Sequence, residues 1–232
     1  MFTNSVPRAS HVVTDSKWTT GNLVRFYGLS ESRSTVLGLP IDQTLWNPPA
    51  IASETSWEGS YFVYPAKLWP HKNHRFLVDV LDVVAGDHPD VNFLFTGLSD
   101  DDADRFEKVL NVLPGRKKPK ILGNLDRTEL RDLVGHSNGL LMPSLLGPTN
   151  LPPLEALALG VPAFVSDAHH FDVDFGEALQ VIPTTHATLW AEALSPFLSA
   201  KKRFAPPRSL GSATPEKVER MLISQIDALR YL

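Results

Sequence analysis

The chain has 232 residues, 43% hydrophobic and 21% charged, with a net charge of −4 and no cysteine. That balance suits one good-sized core with an appendage. It excludes disulfides, thiolate metal sites, a cysteine nucleophile and nucleic-acid binding by bulk positive charge. No apolar run approaches the roughly 18 residues that a membrane-crossing helix needs, and the stretch from Met1 to Arg8 lacks the apolar segment of a signal peptide. A cytoplasmic placement is therefore expected, at most peripheral to the inner face of a membrane.

After an irregular start, His11-Val12-Val13 reads as a strand tip. Asp15 or Ser16 can cap a helix over residues 17–27 that Gly28 ends, and residues 34–39 form another short strand. Residues 40–58, with Pro40, Pro48 and Pro49, read as a linker. A regular alternation follows. Tyr61-Phe62-Val63-Tyr64 is a strand, and Phe76, Leu77, Val80, Leu81 and Val84 lie at helical spacing. Residues 91–95 are a second strand closed by Gly97, and Phe106, Val109, Leu110 and Leu113 mark a helix. Residues 120–122 form a third strand, and Asp126 with Glu129 caps the helix after it.

Leu140-Leu141-Met142 is apolar throughout, as strands buried on both faces are. A short helix over 154–159 sits between Pro152-Pro153 and Gly160, with Glu155 in its first turn. Residues 163–165 and 179–182 are further strands, followed by a helix over 188–198. A last helix is capped by Thr214, begins with Pro215, and carries Val218, Leu222, Ile226 and Leu229 on one face. Strands alternating with helices predict an α/β, Rossmann-like parallel sheet with helices on both faces. In such sheets ligands lie beyond the carboxyl ends of the strands, where the strand order reverses.

Two loops at such positions carry chemistry. The first, residues 65–74, joins a strand to a helix and holds Lys67 and Lys72. Lysines beside a helix N-terminus suit a diphosphate, although most surface lysines bind nothing. The second, residues 143–156, is rich in Gly, Pro, Thr and Asn, and Thr149 or Asn150 can cap the helix it leads into. Glu155 there either complements the helix dipole or accepts hydrogen bonds from sugar hydroxyls.

In order, the lysine loop, Phe-Leu-Phe-Thr-Gly, Ile-Leu-Gly-Asn-Leu, Met-Pro-Ser, Leu-Pro-Pro-Leu-Glu-Ala-Leu-Ala-Leu-Gly-Val-Pro-Ala and Val-Ser-Asp resemble the donor domain of glycosyltransferase family 4, a GT-B fold. The string Gly-Pro-Thr-Asn-Leu-Pro-Pro-Leu-Glu is similar to a bacterial subset active in surface polysaccharide assembly. The resemblance runs over about residues 60–197, and residues 10–39 resemble the end of the family's N-terminal domain. It implies three parts: residues 1–54 as a remnant of the acceptor domain with its linker, 55–212 as the nucleotide-sugar-binding domain, and 213–232 as a helix packing back towards the N-terminal part. The chain then looks like a truncation.

The resemblance also implies roles. Lys67 and Lys72 are expected to bind the donor diphosphate, and Glu155 the ribose hydroxyls. Backbone N–H groups near Asn150 and Leu151 would face the diphosphate, Gly123-Asn124-Leu125 would lie against the base, and Gly97 and Thr149 are further donor-binding positions. Lys67 stands where arginine is frequent in the family, which removes the planar fork. Gly147 stands where many relatives carry a second glutamate. The implied reaction is transfer of a sugar from a nucleotide diphosphate sugar to a hydroxyl on a carbohydrate or lipid-linked acceptor, with anomeric configuration retained and no metal or other cofactor. The alternatives are a non-catalytic nucleotide-sugar-binding module, or a fragment that works with a partner chain supplying the N-terminal domain. No nucleic-acid partner is expected.

Other groupings are weaker. His71 with His74, and His169-His170 between Asp167 and Asp172, read as surface or capping residues rather than metal ligands. Asp100-Asp101-Asp102 reads as a solvated helix start, and Lys201-Lys202-Arg203 as a solvated linker.

Overall fold

The computed structural model describes residues 2–41, 57, 59–113, 115–147, 151–207, 210 and 215–229. A short helix α1 (Phe2–Ser5) precedes β1 (Val12–Thr14), α2 (Lys17–Tyr27) and β2 (Ser34–Val36), and β1 and β2 pair in parallel. Ser16 caps α2 through its side chain, and Gly28 closes the helix in the left-handed conformation. The start of α2 touches the loop at 170–172: Lys17 N donates to Asp172 Oδ2 at 2.8 Å, and Trp18 stacks on His170 at 4.5 Å.

The larger body is a six-stranded parallel sheet flanked by helices. Its units are β3 (Tyr61–Pro65), α3 (His74–Asp87), β4 (Asn92–Thr96), α4 (Asp100–Asn111), β5 (Lys120–Ile121), α5 (Arg127–Gly135), β6 (Gly139–Met142), α6 (Leu151–Ala158), β7 (Ala163–Ser166), β8 (Leu179–Ile182) and α7 (Ala187–Leu194). The strand order is β5-β4-β3-β6-β7-β8. The chain thus builds outward from β3 to β5, crosses back through α5, and builds outward again from β6. The order reverses between β3 and β6.

Physical causes are visible in each piece. All of β6 and β7 and all but the last residue of β3 are buried, so these strands tolerate apolar side chains on both faces. The Phe62 ring meets Phe93 and Phe164 edge-on at 5.8 and 5.9 Å, tying β3 to β4 and β7. Helix α3 packs on α7 through Phe76 against Trp190, whose indole N–H donates to Pro183 O at 3.1 Å. Asp126 and Glu129 form the expected reciprocal cap of α5.

Several boundaries differ from the sequence reading. Helix α6 starts at Leu151, three residues early, because prolines in a first turn lack only amide hydrogens that have no partner there anyway. Glu155 is therefore its fifth residue, outside the first turn. Helix α7 stops at Leu194, and Pro196 continues the chain as a 3₁₀ turn. A last helix, α8 (Pro215–Leu229), leaves Leu222 and Ile226 exposed. The linker over 42–56 and the caps Thr149, Asn150 and Thr214 lie outside the described residues.

Candidate functional site

The two chemistry-bearing loops follow β3 and β6, the adjacent strands on either side of the order reversal. They are also bonded to each other. Leu145 N donates to His71 O at 2.7 Å, and Asn73 Nδ2 donates to Pro143 O at 3.3 Å. Asn73 takes a left-handed conformation (φ 59°) at the start of α3, and its amide makes this cross-loop bond instead of capping the helix. From below, the buried Tyr64 hydroxyl donates to the Lys72 carbonyl. Burial raises the Tyr64 pKa far above the usual phenol range, with Ser144 beside it pulling the other way, so the hydroxyl keeps its proton.

The two lysines differ. Lys72 is half-buried, and loss of water lowers its pKa. Lys67 is exposed, with its ammonium 5.8 Å from the centre of the Trp69 ring. Around Lys72 sits a buried polar cluster absent from the sequence reading. His74 and His169 are 4% and 3% exposed, which corrects the surface or capping roles expected for both. Desolvation is the main cause that drops each histidine to about 4, and the Lys72 charge acts in the same direction. Both are neutral near pH 7. Ser166 Oγ donates to the Ser144 carbonyl and lies 3.1 Å from His169 Nδ1, linking the ends of β6 and β7.

Helix α6 follows β6 along the chain. Pro152 and Pro153 have no amide hydrogen, so among residues 151–154 only Leu151 and Leu154 can donate. Glu155, half-buried, has its pKa raised to about 7 by desolvation, with Arg127 pulling it back down. Arg127 is the first residue of α5 and was not singled out in the sequence. The local sign of it is a cation in the first turn, where it opposes the helix dipole.

The remaining expected positions lie on the loops after β4 and β5. Gly97 N and Thr96 Oγ1 both donate to Gly123 O, at 2.8 and 2.7 Å, fastening those loops together. Gly97 has φ +88°, and a side chain there would meet the Ala66 backbone at 3.3 Å. Asn124 is exposed and Leu125 packs partly on the core. Leu151 is exposed, while Thr149 and Asn150 fall outside the described residues. Gly147 has φ +116°, a conformation that a glutamate would reach only with strain. The missing second glutamate thus has a backbone counterpart.

Elsewhere, the described residues contain no group of three acidic or histidine side chains placed to hold a metal ion, and no helix long and apolar enough to cross a membrane. The Lys201-Lys202-Arg203 stretch is more than a solvated linker. Arg203 donates to the carbonyls of Gly135 and Ser137, and Lys201 and Lys202 lie over the Tyr61 and Phe197 rings.

The profile of the family described as "Glycosyl transferases group 1" matches residues 53–208. Over 191 residues the sequence is 24% identical to the O-antigen chain mannosyltransferase RfbU of Salmonella typhimurium, covering 82% of this chain and 51% of that one. The fold is similar to a sucrose-phosphate synthase from Thermosynechococcus elongatus (TM-score 0.72, 21% identity, 97% of this chain and 59% of that one). It is also similar to Anabaena Alr3699/HepE in complex with UDP and glucose (TM-score 0.74, 15% identity, 96% and 64%). The chain therefore spans about half the length of the curated relative it matches.

Proposed function

From the premise that this chain belongs to the group 1 glycosyl transferases, we propose that it is the donor-binding part of an enzyme that moves a sugar from a nucleotide diphosphate sugar to a hydroxyl acceptor, with retention, in surface polysaccharide or glycolipid assembly. The observation that supports this most is the bonded convergence of the lysine loop and the loop after β6 at the reversal of strand order. In this reading residues 1–54 belong to the acceptor half, residues 55–212 bind the donor, and residues 213–232 pack back on the N-terminal part.

Breaking the glycosidic bond places negative charge on the departing diphosphate. A partly desolvated ammonium at Lys72 interacts with that charge more strongly than a fully hydrated one. Lys67 adds a second cation from the exposed side, and the Leu151 amide a neutral donor. Glu155, once ionised, accepts hydrogen bonds from the ribose hydroxyls, and residues 123–125 border the base. Fixed cations in these places supply the charge stabilisation that a metal ion provides elsewhere.

Loss of one such donor costs about 3 kcal/mol in comparable sites, so Lys72→Ala is expected to weaken nucleotide sugar binding or turnover at least a hundredfold. Calorimetry with a nucleotide sugar tests this, and unchanged affinity and turnover remove Lys72 from the site. A second reading is that a separate chain supplies the acceptor half. Transfer assays with and without a candidate partner chain distinguish the two.

A further inference from the structure

A cavity of about 320 Å³ lies between the lysine loop, the start of α3 and the flank of α4. Phe106 and Val109 form an apolar floor, and Trp69, 52% exposed, forms one wall. Two cations stand at the rim. Arg75 has no ion pair among the described residues, and Arg105 pairs with Asp102 in an exposed bridge of the kind worth at most about 1 kcal/mol. A third cation, Lys67, lies close to the Trp69 ring.

His74 also lines this cavity. Its Nε2 lies 3.2 Å from the Ala66 carbonyl, which can only accept, so Nε2 carries the proton. A neutral imidazole then leaves Nδ1 as a bare acceptor. That atom is buried and has no partner among the described residues. With no accessible surface, Nδ1 is closed to an occupant, and selection falls to Trp69 and the two guanidinium groups.

We propose that this cavity is a second ligand site that takes an acidic sugar: a pyranose ring bearing a carboxylate or phosphate. One ring face lies on Trp69, and the anionic group bridges Arg75 and Arg105. Indole faces pack well on apolar C–H surfaces while their edges stay wet, and guanidinium groups match carboxylate and phosphate geometry. Its lining comes from the lysine loop, α3 and α4 and includes no residue of the loop after β6. An acidic residue of a polysaccharide acceptor and a free sugar phosphate share this chemistry.

The test uses saturation-transfer NMR and calorimetry on the intact chain with three probes: methyl glucuronide, glucose 6-phosphate and neutral methyl glucoside. Both acidic probes are expected to bind at least tenfold more tightly than the neutral one. Preference for the glucuronide points to an acidic glycan, and preference for the phosphate to a free sugar phosphate. Arg75→Gln and Arg105→Gln should each weaken the acidic probes about tenfold, since a hydrogen bond to a charged group is worth about 1.5–3 kcal/mol. Trp69→Ala should abolish saturation transfer to the ring protons. The proposal is overturned if the three probes bind alike, if none binds at millimolar concentration, if the arginine variants bind normally, or if excess nucleotide diphosphate displaces the acidic probe. The last result would place the ligand in the donor cleft and leave the proposed function standing.

Discussion

Glu155→Gln is expected to make the protein more stable and a poorer binder at the same time. The carboxyl has its pKa raised from 4.5 to about 7, chiefly by desolvation and against the pull of Arg127. A folded pKa above the ordinary value means that this group's contribution to stability is fully present below pH 4.5 and is lost as the pH rises through about 7. Each tenfold change in proton affinity corresponds to about 1.4 kcal/mol, so the ionised carboxylate costs the fold at most about 3 kcal/mol. Solvent reaching a half-buried side chain reduces this to about 1–2 kcal/mol. Glutamine keeps the shape and cannot ionise. At pH 8 the variant should melt roughly 3–6 °C above the parent, and at pH 4.5 the two should nearly coincide. Binding should move the other way. Affinity for a nucleotide diphosphate sugar, whose diphosphate stays fully ionised, should tighten in the parent between pH 6 and 8 and stay flat and weaker in the variant. Thermal melts and calorimetry across this range decide the matter. A variant less stable than its parent at pH 8, or one that keeps the parent's pH dependence of binding, refutes the reasoning.

The buried histidines act with the opposite sign. His74 and His169 have folded values of about 4, so their contribution is present above pH 6.5 and disappears as the pH falls through about 4. Urea titrations should show a loss of about 2–3 kcal/mol per histidine between pH 7 and pH 4, smaller in His169→Gln; equal pH slopes in parent and variant count against burial of a neutral ring. Two glycines give a ranked pair. Gly97→Ala combines a left-handed backbone with a backbone contact at 3.3 Å, whereas Gly123→Ala, at φ +71°, has open space around the new methyl. The first should cost about 2–3 kcal/mol and the second about 1 kcal/mol, and denaturation showing the reverse order contradicts the packing described.

Much of this fold was legible because local signals agreed with one another. The run Leu140-Leu141-Met142 is buried on both faces, Asp126 and Glu129 cap a helix, and Gly28 ends one, all as the residues alone imply. Order within the sheet was not legible in that way. Nothing local in Tyr61-Phe62-Val63-Tyr64 says that its neighbours are β4 and β6, and the placing of the two loops rests on that pairing. Histidine was the hardest residue to read. His71 and His74 share one loop and one spacing, yet Tyr64, Phe95 and Phe106 enclose the ring of His74. Those rings come from three different elements, so burial was decided by tertiary packing. The start of α6 was misplaced for a simpler reason: proline reads as a helix breaker, while its missing hydrogen costs nothing in a first turn.

The same prolines bear on how an anion would be held. A helix start ordinarily offers up to four unpaired amide hydrogens, and α6 gives up two of them at Pro152 and Pro153. In the proposed reaction the lost donors shift the burden to the cations, and a cation on a flexible four-carbon stem helps only if its backbone is fixed. The structure fixes it three times over. His71 accepts from Leu145, Lys72 accepts from Tyr64, and Asn73 donates to Pro143, so each residue of the turn carrying Lys72 is tied to a strand end or to the opposite loop. The stem of Lys72 leaves a rigid platform, and its ammonium has less room to withdraw as charge grows on the departing group. Preorganisation of that kind lowers a barrier because little has to move when the bond breaks. In the proposed reaction, holding the lysine's main chain in place does part of the work of the missing donors.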